Sequence, residues 1–221
     1  HSPQELASLI ADVQQNDWQD FDVRPPGQRP LYAPILYLEP LVGRNRPALG
    51  FDIYSEPNRR EAVDRALFLS EPSMSSKITL VQDDDGLGDS TKAGVLVILP
   101  VYDLTVAPTI SENDKAIGLI VSVFRIRDLM GEILDTVSNG QGAVRKTVSL
   151  FEVAPNGELL NMYNEPRDDG HVPRFAAEST FSMYGKTWRV MATSTEVFEE
   201  STSENSAIIV FLAGISMSML L

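Results

Sequence analysis

Cysteine is absent from this chain, and its absence removes disulfides, thiolate metal sites and cysteine nucleophiles together. Cation-rich stretches are missing too. Against 31 acidic residues stand 18 Lys and Arg, giving a formal net charge of −13. A surface that tracks nucleic-acid phosphates needs clustered Lys and Arg, so nucleic acid is excluded as a partner. Histidine is scarce: His1 is terminal, and His171 stands in a polar loop. A Ser–His pair or a His–carboxylate metal site would need partners that the spacing does not supply, and there is no G-x-S-x-G nucleophile elbow. No catalytic residue, metal ligand or cofactor is therefore assigned.

Two short stretches imitate known motifs. Residues 86–94, GLGDSTKAG, carry glycines and a lysine but lack the spacing of a phosphate loop, and a hairpin tip explains them better. Asp83-Asp84-Asp85-Gly86 suggests a calcium loop. With Gly86 in the sixth position, however, the first ligand would be Val81 and the twelfth Lys92, which leaves a solvated acidic turn.

Long apolar runs are few, and one is informative. Residues 207–221, AIIVFLAGISMSMLL, carry no charge and are hydrophobic on all sides, where a core helix would show one stripe. Spanning a bilayer takes roughly 20 residues, so the stretch is expected to be the first part of a transmembrane helix. The preceding EVFEESTSEN is acidic, which places the folded part outside the cytoplasm, since cytoplasmic flanks carry the positive charge. An upstream segment is expected before residue 1, because no signal peptide opens the chain.

What is present suffices for a core: 221 residues, 43% of them hydrophobic. Ser2-Pro3-Gln4-Glu5 has the form of a capping box, and Leu6, Leu9, Ile10 and Val13 follow at helical spacing. Residues 20–30 read as a short strand and a Pro/Gly turn, and 31–40, LYAPILYLEP, as a buried strand. In 47–69 a strand carrying Phe51, Asp52 and Ile53 runs into a helix with Ser55 as its expected N-cap. Arg59 and Arg60 are expected at the surface, in ion pairs. ITLVQ (78–82) and GVLVILPVYD (94–103) read as an antiparallel hairpin, and IGLIVSVF (117–124) as a buried strand. From Ile126 the spacing changes to that of an amphipathic helix through Leu129, Met130, Ile133, Leu134 and Val137. VSLFEV, GELLNMY and STFSMYGKTWRVMATST then alternate as shorter strands, turning at Asn156-Gly157 and Tyr184-Gly185-Lys186. The class is α+β.

YAPILYLEP (32–40), ALGFDIYSEPNRREAVDRA (48–66), SSKITLVQ (75–82) and GVLVILPVYD (94–103) together resemble the CHASE domain, the extracytoplasmic sensory module of histidine kinases and nucleotide cyclases. The resemblance implies an N-terminal helical stalk and two PAS-like lobes with antiparallel sheets, followed by a transmembrane helix. On this chain that gives the end of the stalk at 1–19, a membrane-distal ligand-binding lobe at 20–139, a membrane-proximal lobe at 140–199, and a juxtamembrane segment with the start of the span at 200–221. It also implies a homodimer joined through the stalk, anchored in the plasma membrane and facing the periplasm or the exterior. Plant cytokinin receptors, the best-known members, bind adenine-type ligands in the distal lobe. Asp52 aligns with the family aspartate that takes hydrogen bonds from the purine, Met74 with a main-chain contact to the ring, and Leu80, Ile98 and Gly118 with strands that line the pocket. Tyr37 joins them as a candidate. Where the plant pattern has a Thr-Gly pair, this chain has Leu69-Ser70 and then Pro72, which predicts a different loop over the ligand.

The expectation is thus a sensor, not an enzyme, that binds a small organic molecule, purine- or cytokinin-like if the resemblance holds to that depth. Output would come from a histidine kinase or a diguanylate cyclase/phosphodiesterase elsewhere in the receptor. The alternatives are a ligand-independent interaction or dimerisation module and a membrane-anchored hydrolase. Asp52 also has a purely structural role open to it, capping the helix that follows. As a ligand contact, its Asp52→Ala change should weaken binding and leave the fold intact.

Overall fold

The computed structural model describes residues 1–16, 18–80, 92–103, 116–138, 146–164 and 171–200. Helix α1 (Pro3–Asn16) starts where the capping box places it, with the Ser2 N–H donating to the Glu5 carboxylate at 2.8 Å. That backbone bond, with the Ser2 hydroxyl beside it, holds the Glu5 carboxyl below its ordinary value. The apolar stripe of α1 is covered by the chain itself. Val13, with Leu6, Leu9 and Ile10 beside it, packs against Phe21, Val23 and Tyr32.

Residues 49–53 then run between two other extended stretches without forming a named strand. On one side the Arg24 N–H donates to Gly50 O at 2.9 Å and the Asp52 N–H to Arg24 O at 2.7 Å; on the other, Ile35 donates to Phe51 O and Ile53 to Ala33 O, both at 3.0 Å. Gly50 is obligatory here. Its φ is +78°, and a Cβ would lie 2.2 Å from Asp22 O. The strand expected over 31–40 is reduced to a single bridge between Pro34 and Asp52. Pro34 and Pro40 bring no N–H to a ladder, so pairing does not propagate.

A 3-10 turn (Ile53–Ser55) leads into α2 (Pro57–Leu69). The N-cap is Glu56 rather than Ser55: its carboxylate accepts from Asn58 N at 3.1 Å and Arg59 N at 3.0 Å. Pro57 takes the first helical position and fixes the cap one residue later, while the Ser55 hydroxyl donates to Asp52 O at 2.6 Å. Ala62, Val63 and Ala66 are fully buried beneath the helix.

The first sheet is built on β3 (Ala93–Tyr102). Strands β1 (Ser73–Met74) and β2 (Ile78–Thr79) share one of its edges and β4 (Ala116–Arg125) takes the other, all antiparallel. Pro100 lies inside β3, past the last β1 partner at Ile98, where its missing N–H costs no ladder bond. Alternation sends Leu96 and Ile98 toward α2, and Val95 and Val97 toward the opposite face. The burial expected of β4 is not found. As an edge strand it leaves Ile117, Ile120, Val123 and Phe124 exposed, because an apolar run does not distinguish a central strand from an edge.

Helix α3 (Ile126–Ser138) follows β4 directly and buries Ile126 and Met130, while Leu129 and Ile133 of the same expected stripe are exposed. The second sheet is a four-stranded antiparallel array in the order β6 (Leu159–Asn164), β5 (Lys146–Val153), β8 (Lys186–Ser194), β7 (Ala176–Met183). Both turns marked in the sequence are present, with Gly157 at φ +85° and Gly185 at +79°. Val148, Leu150, Met162 and Trp188 of this sheet share one core with Met74, Val95, Ile126 and Met130, so the two sheets are joined by buried apolar side chains. A short helix α4 (Glu196–Glu200) ends the described chain.

The described elements make mixed helix and antiparallel sheet, an α+β fold. Among the described residues no helix is long and apolar enough to cross a membrane. The apolar stretch 207–221 lies outside them, as do residues 83–86 and most of 86–94.

Candidate functional site

Between the extended segment 31–38, helix α2 and the first sheet lies a cleft of about 630 Å³. Its walls are mostly aliphatic: Leu31, Ala33, Ile35, Leu36 and Leu38 on one side, Val63 and Leu67 of α2 below, and Leu80, Leu96, Leu119 and Val121 on the sheet. Polar groups are few. Arg59 and Tyr37 contribute from the walls, with Glu5 and His1 also lining the cleft.

Of the residues singled out in the sequence, Leu80, Gly118 and Tyr37 line this cleft. Leu80 is 1% exposed and Tyr37 is 86% exposed, so the leucine is a wall and the tyrosine does not fill the space. At Gly118 a Cβ would meet nothing within 4 Å and, two residues from Ile120, would point to the sheet face away from the cleft, so the residue lines it with its main chain. Ile98 is fully buried in the cluster beneath the cleft, among Val63, Leu80 and Leu96, and is not one of its lining residues. Met74 belongs to the other face of the sheet. Its main chain is committed on both sides, N–H to Tyr184 O at 3.0 Å and carbonyl to the Arg65 guanidinium at 2.5 Å.

Asp52 is fully buried and likewise does not line the cleft. Its Oδ1 accepts from Ala33 N at 2.8 Å and from Tyr54 N at 3.0 Å. Oδ2 makes no hydrogen bond, and the Arg29 guanidinium stands 3.3 Å from it. Arg29 in turn donates to Pro25 O and Gly27 O, so one carboxylate ties the 25–33 segment to the start of the helical turn. It sits directly behind Ala33 and Ile53, two residues that do line the cleft. Next to it, Tyr54 is pushed up to about 12 by burial and by its hydrogen bond to Asp64.

Spacing alone missed several residues here. Arg59, expected at the surface, is 5% exposed: its guanidinium lies 4.7 Å from the centre of the Phe51 ring and donates to Thr79 O at 2.7 Å. Arg60 lies over Tyr54 and donates to its carbonyl, whereas the pair Glu61–Arg65 forms as the four-residue spacing predicts, at 2.9 Å. The lining role of 31–38 had a signal in the prolines that punctuate its apolar run, Pro30, Pro34 and Pro40, which keep the chain extended and leave its backbone unladdered.

Elsewhere, His171 Nε2 lies 3.3 Å from the Glu199 carboxylate, which also accepts from Ser194 Oγ and from Arg174 N. Burial alone would raise the Glu199 carboxyl, but these donors outweigh it and hold the group below its usual range. The histidine therefore faces a carboxylate that already accepts from the serine, not the serine itself. Among the described residues no three His, Asp or Glu side chains gather as a metal set would.

The cleft is thus apolar, walled by a sheet, a helix and an extended segment, and the buried Asp52 behind it is engaged in holding the backbone. The chain belongs to the CHASE domain family, whose family model matches residues 2–163. It is therefore an extracytoplasmic sensor domain of the kind carried by signalling receptors, and the domain itself is not catalytic. No curated protein matches the chain.

Proposed function

We propose that this domain senses a small, largely apolar organic molecule in the cleft beside residues 31–38. The observation that carries the proposal is the cleft itself: about 630 Å³, aliphatic on three sides, with a handful of polar groups. Small-molecule sites are concave and mostly apolar, of roughly 300–1,000 Å³, with few polar groups to fix orientation. Leu80, Gly118 and Tyr37 contact the ligand directly, and Ile98 supports the floor. Asp52 and Met74 act as positioning residues, the first by setting the backbone of Ala33 and the second by joining the sheets.

In this proposal the two sheets belong to a distal lobe (20–139) and a proximal lobe (140–199), PAS-like in plan, with 1–19 as the end of a stalk. Binding favours one arrangement of the lobes through differential affinity, and the C-terminal segment carries the shift through a plasma-membrane span to an output enzyme in a homodimeric receptor. A purine-type ligand must find its donors and acceptors on Arg59, Tyr37 and the backbone of 36–38, because Asp52 does not line the cleft and its Oδ2 faces Arg29.

A thermal-shift screen against purines, amino acids, short peptides and organic acids tests this. A ligand at 100 times its dissociation constant stabilises the fold by about 2.7 kcal/mol. Val121→Trp, which enlarges a side chain of the cleft wall, should abolish that shift. Stabilisation by no compound, or an equal shift in Val121→Trp, refutes the site. One observation favours a second reading, an interaction module: Leu99, Ile120 and Phe124 form an exposed apolar strip on the sheet face away from the cleft. Concentration-dependent self-association lost in Ile120→Asp would support it.

A further inference from the structure

We infer that a polar clasp between α2 and the β7–β8 turn carries cleft occupancy to the second sheet; this rests on the cleft being the ligand site. Helix α2 is shared by both features. Val63 and Leu67 line the cleft, and Arg65, two residues from each, projects about 200° away from them at 3.6 residues per turn. On that far side its guanidinium donates to Ser73 Oγ at 2.7 Å, to Met74 O at 2.5 Å and, more loosely, to Tyr184 O at 3.5 Å, while pairing with Glu61 at 2.9 Å. The β7–β8 turn lies directly against it. A Cβ on Gly185 would sit 2.8 Å from Arg65 Nε, so the turn follows the guanidinium with no slack.

The next residue completes the grip. Lys186 Nζ donates to Ser76 Oγ at 2.6 Å and to the Glu61 carboxylate at 3.2 Å, and stands 3.8 Å from Glu152, a buried acid on β5. Glu152 also accepts from Lys77 N at 2.9 Å, and Lys77 Nζ donates to Asn161 O on β6 at 2.6 Å. Three strands of the second sheet thus grip the segment 73–77, β8 through Ser76 and β5 and β6 through Lys77. That same span exchanges hydrogen bonds with the cleft wall: Ser75 N donates to Leu96 O at 2.9 Å and Leu96 N to Ser75 Oγ at 3.0 Å. A shift of α2 or Leu96 that seats a ligand must either carry the turn along or break the fork of Arg65. Planar forks of this kind hold one geometry or let go, which supplies the two-state element that a signal requires.

The absence of native cysteine gives a direct test. In Leu119→Cys, on the cleft face of β4, hexyl methanethiosulfonate attaches a six-carbon chain inside the cleft as a mixed disulfide, releasing methanesulfinate. Amide hydrogen exchange is then read at residues 31–38 and at 183–187, before and after modification. Exchange should change at both places, by about fivefold at the turn, the lower end of ordinary allosteric coupling. Adding Arg65→Leu, or the milder Arg65→Lys that keeps the charge and loses the fork, should preserve the response at 31–38 and abolish it at 183–187. A response at 31–38 with none at the turn overturns the clasp, as does a turn response that survives both Arg65 changes. If 31–38 itself does not respond, the cleft reading fails first and the inference falls with it.

Discussion

Asp52 shows how one buried carboxylate can be occupied by architecture. Two backbone N–H groups converge on Oδ1, and a guanidinium with 12% side-chain exposure faces Oδ2 at 3.3 Å. Removing the acid would leave both donors unpaired and the Arg29 cation without its counter-charge, in a place where water does not replace them. Asp52→Ala should therefore cost about 3–5 kcal/mol, the range for breaking a buried pair, and lower the urea midpoint accordingly. Asp52→Asn keeps an acceptor for the two N–H groups and should cost less. An unshifted midpoint for Asp52→Ala would mean that the carboxylate holds nothing and is free for a ligand. The sequence marked Asp52 as the acid to watch, and it offered both capping and ligand binding; it could not show Arg29, which lies 23 residues earlier in a Pro/Gly-rich turn and meets the acid only in three dimensions.

At the scale of elements, the helices and the second sheet were legible because their periods and turn signals are local. Helix α1 follows its capping box, and β5 to β8 turn at Asn156-Gly157 and Tyr184-Gly185. What was not legible depends on neighbours: 31–40 stays extended yet forms one bridge, and β4 lies at an edge with four large apolar side chains in the open. The cleft arises from those two departures, since it lies between that unladdered segment and that edge strand. Leu80 closes its floor because β3 offers Gly94 beneath it. A Cβ there would lie 2.7 Å from Leu80 Cγ. Gly94→Ala should cost about 1–3 kcal/mol by forcing Leu80 from its rotamer, and Leu80→Ala about 2–5 kcal/mol by opening a cavity. In the double variant the clash is gone, so its loss should fall below the sum of the two. Additive losses in a urea denaturation cycle would show that the two residues do not press on one another.

For the whole molecule, the central question is whether the two sheets unfold as one. Met74, Val95, Ile126 and Met130 interdigitate with Val148, Leu150, Met162 and Trp188 in a single cluster, and the Arg65–Lys186 clasp closes over one side of it. Each fully buried aliphatic side chain contributes about 1.5–3 kcal/mol, so separating the sheets would expose several such contributions at once. On the proposed reading, this packing is what passes strain from one sheet to the other instead of absorbing it at a linker, because close-packed interfaces shift between discrete arrangements. The chain carries its own reporters for this: the only two tryptophans are Trp18, beside the α1 cluster, and Trp188, in the shared core. In Trp188→Phe the remaining fluorescence reports the first, and in Trp18→Phe the second. Each substitution shifts stability on its own, so each variant's fluorescence curve is compared with its own far-ultraviolet circular dichroism curve. The two should coincide in both variants, as a single cooperative transition requires. A Trp18 signal that unfolds apart from the strand signal would show that the α1 end melts independently, and the shared core would then not be the unit through which the cleft is read.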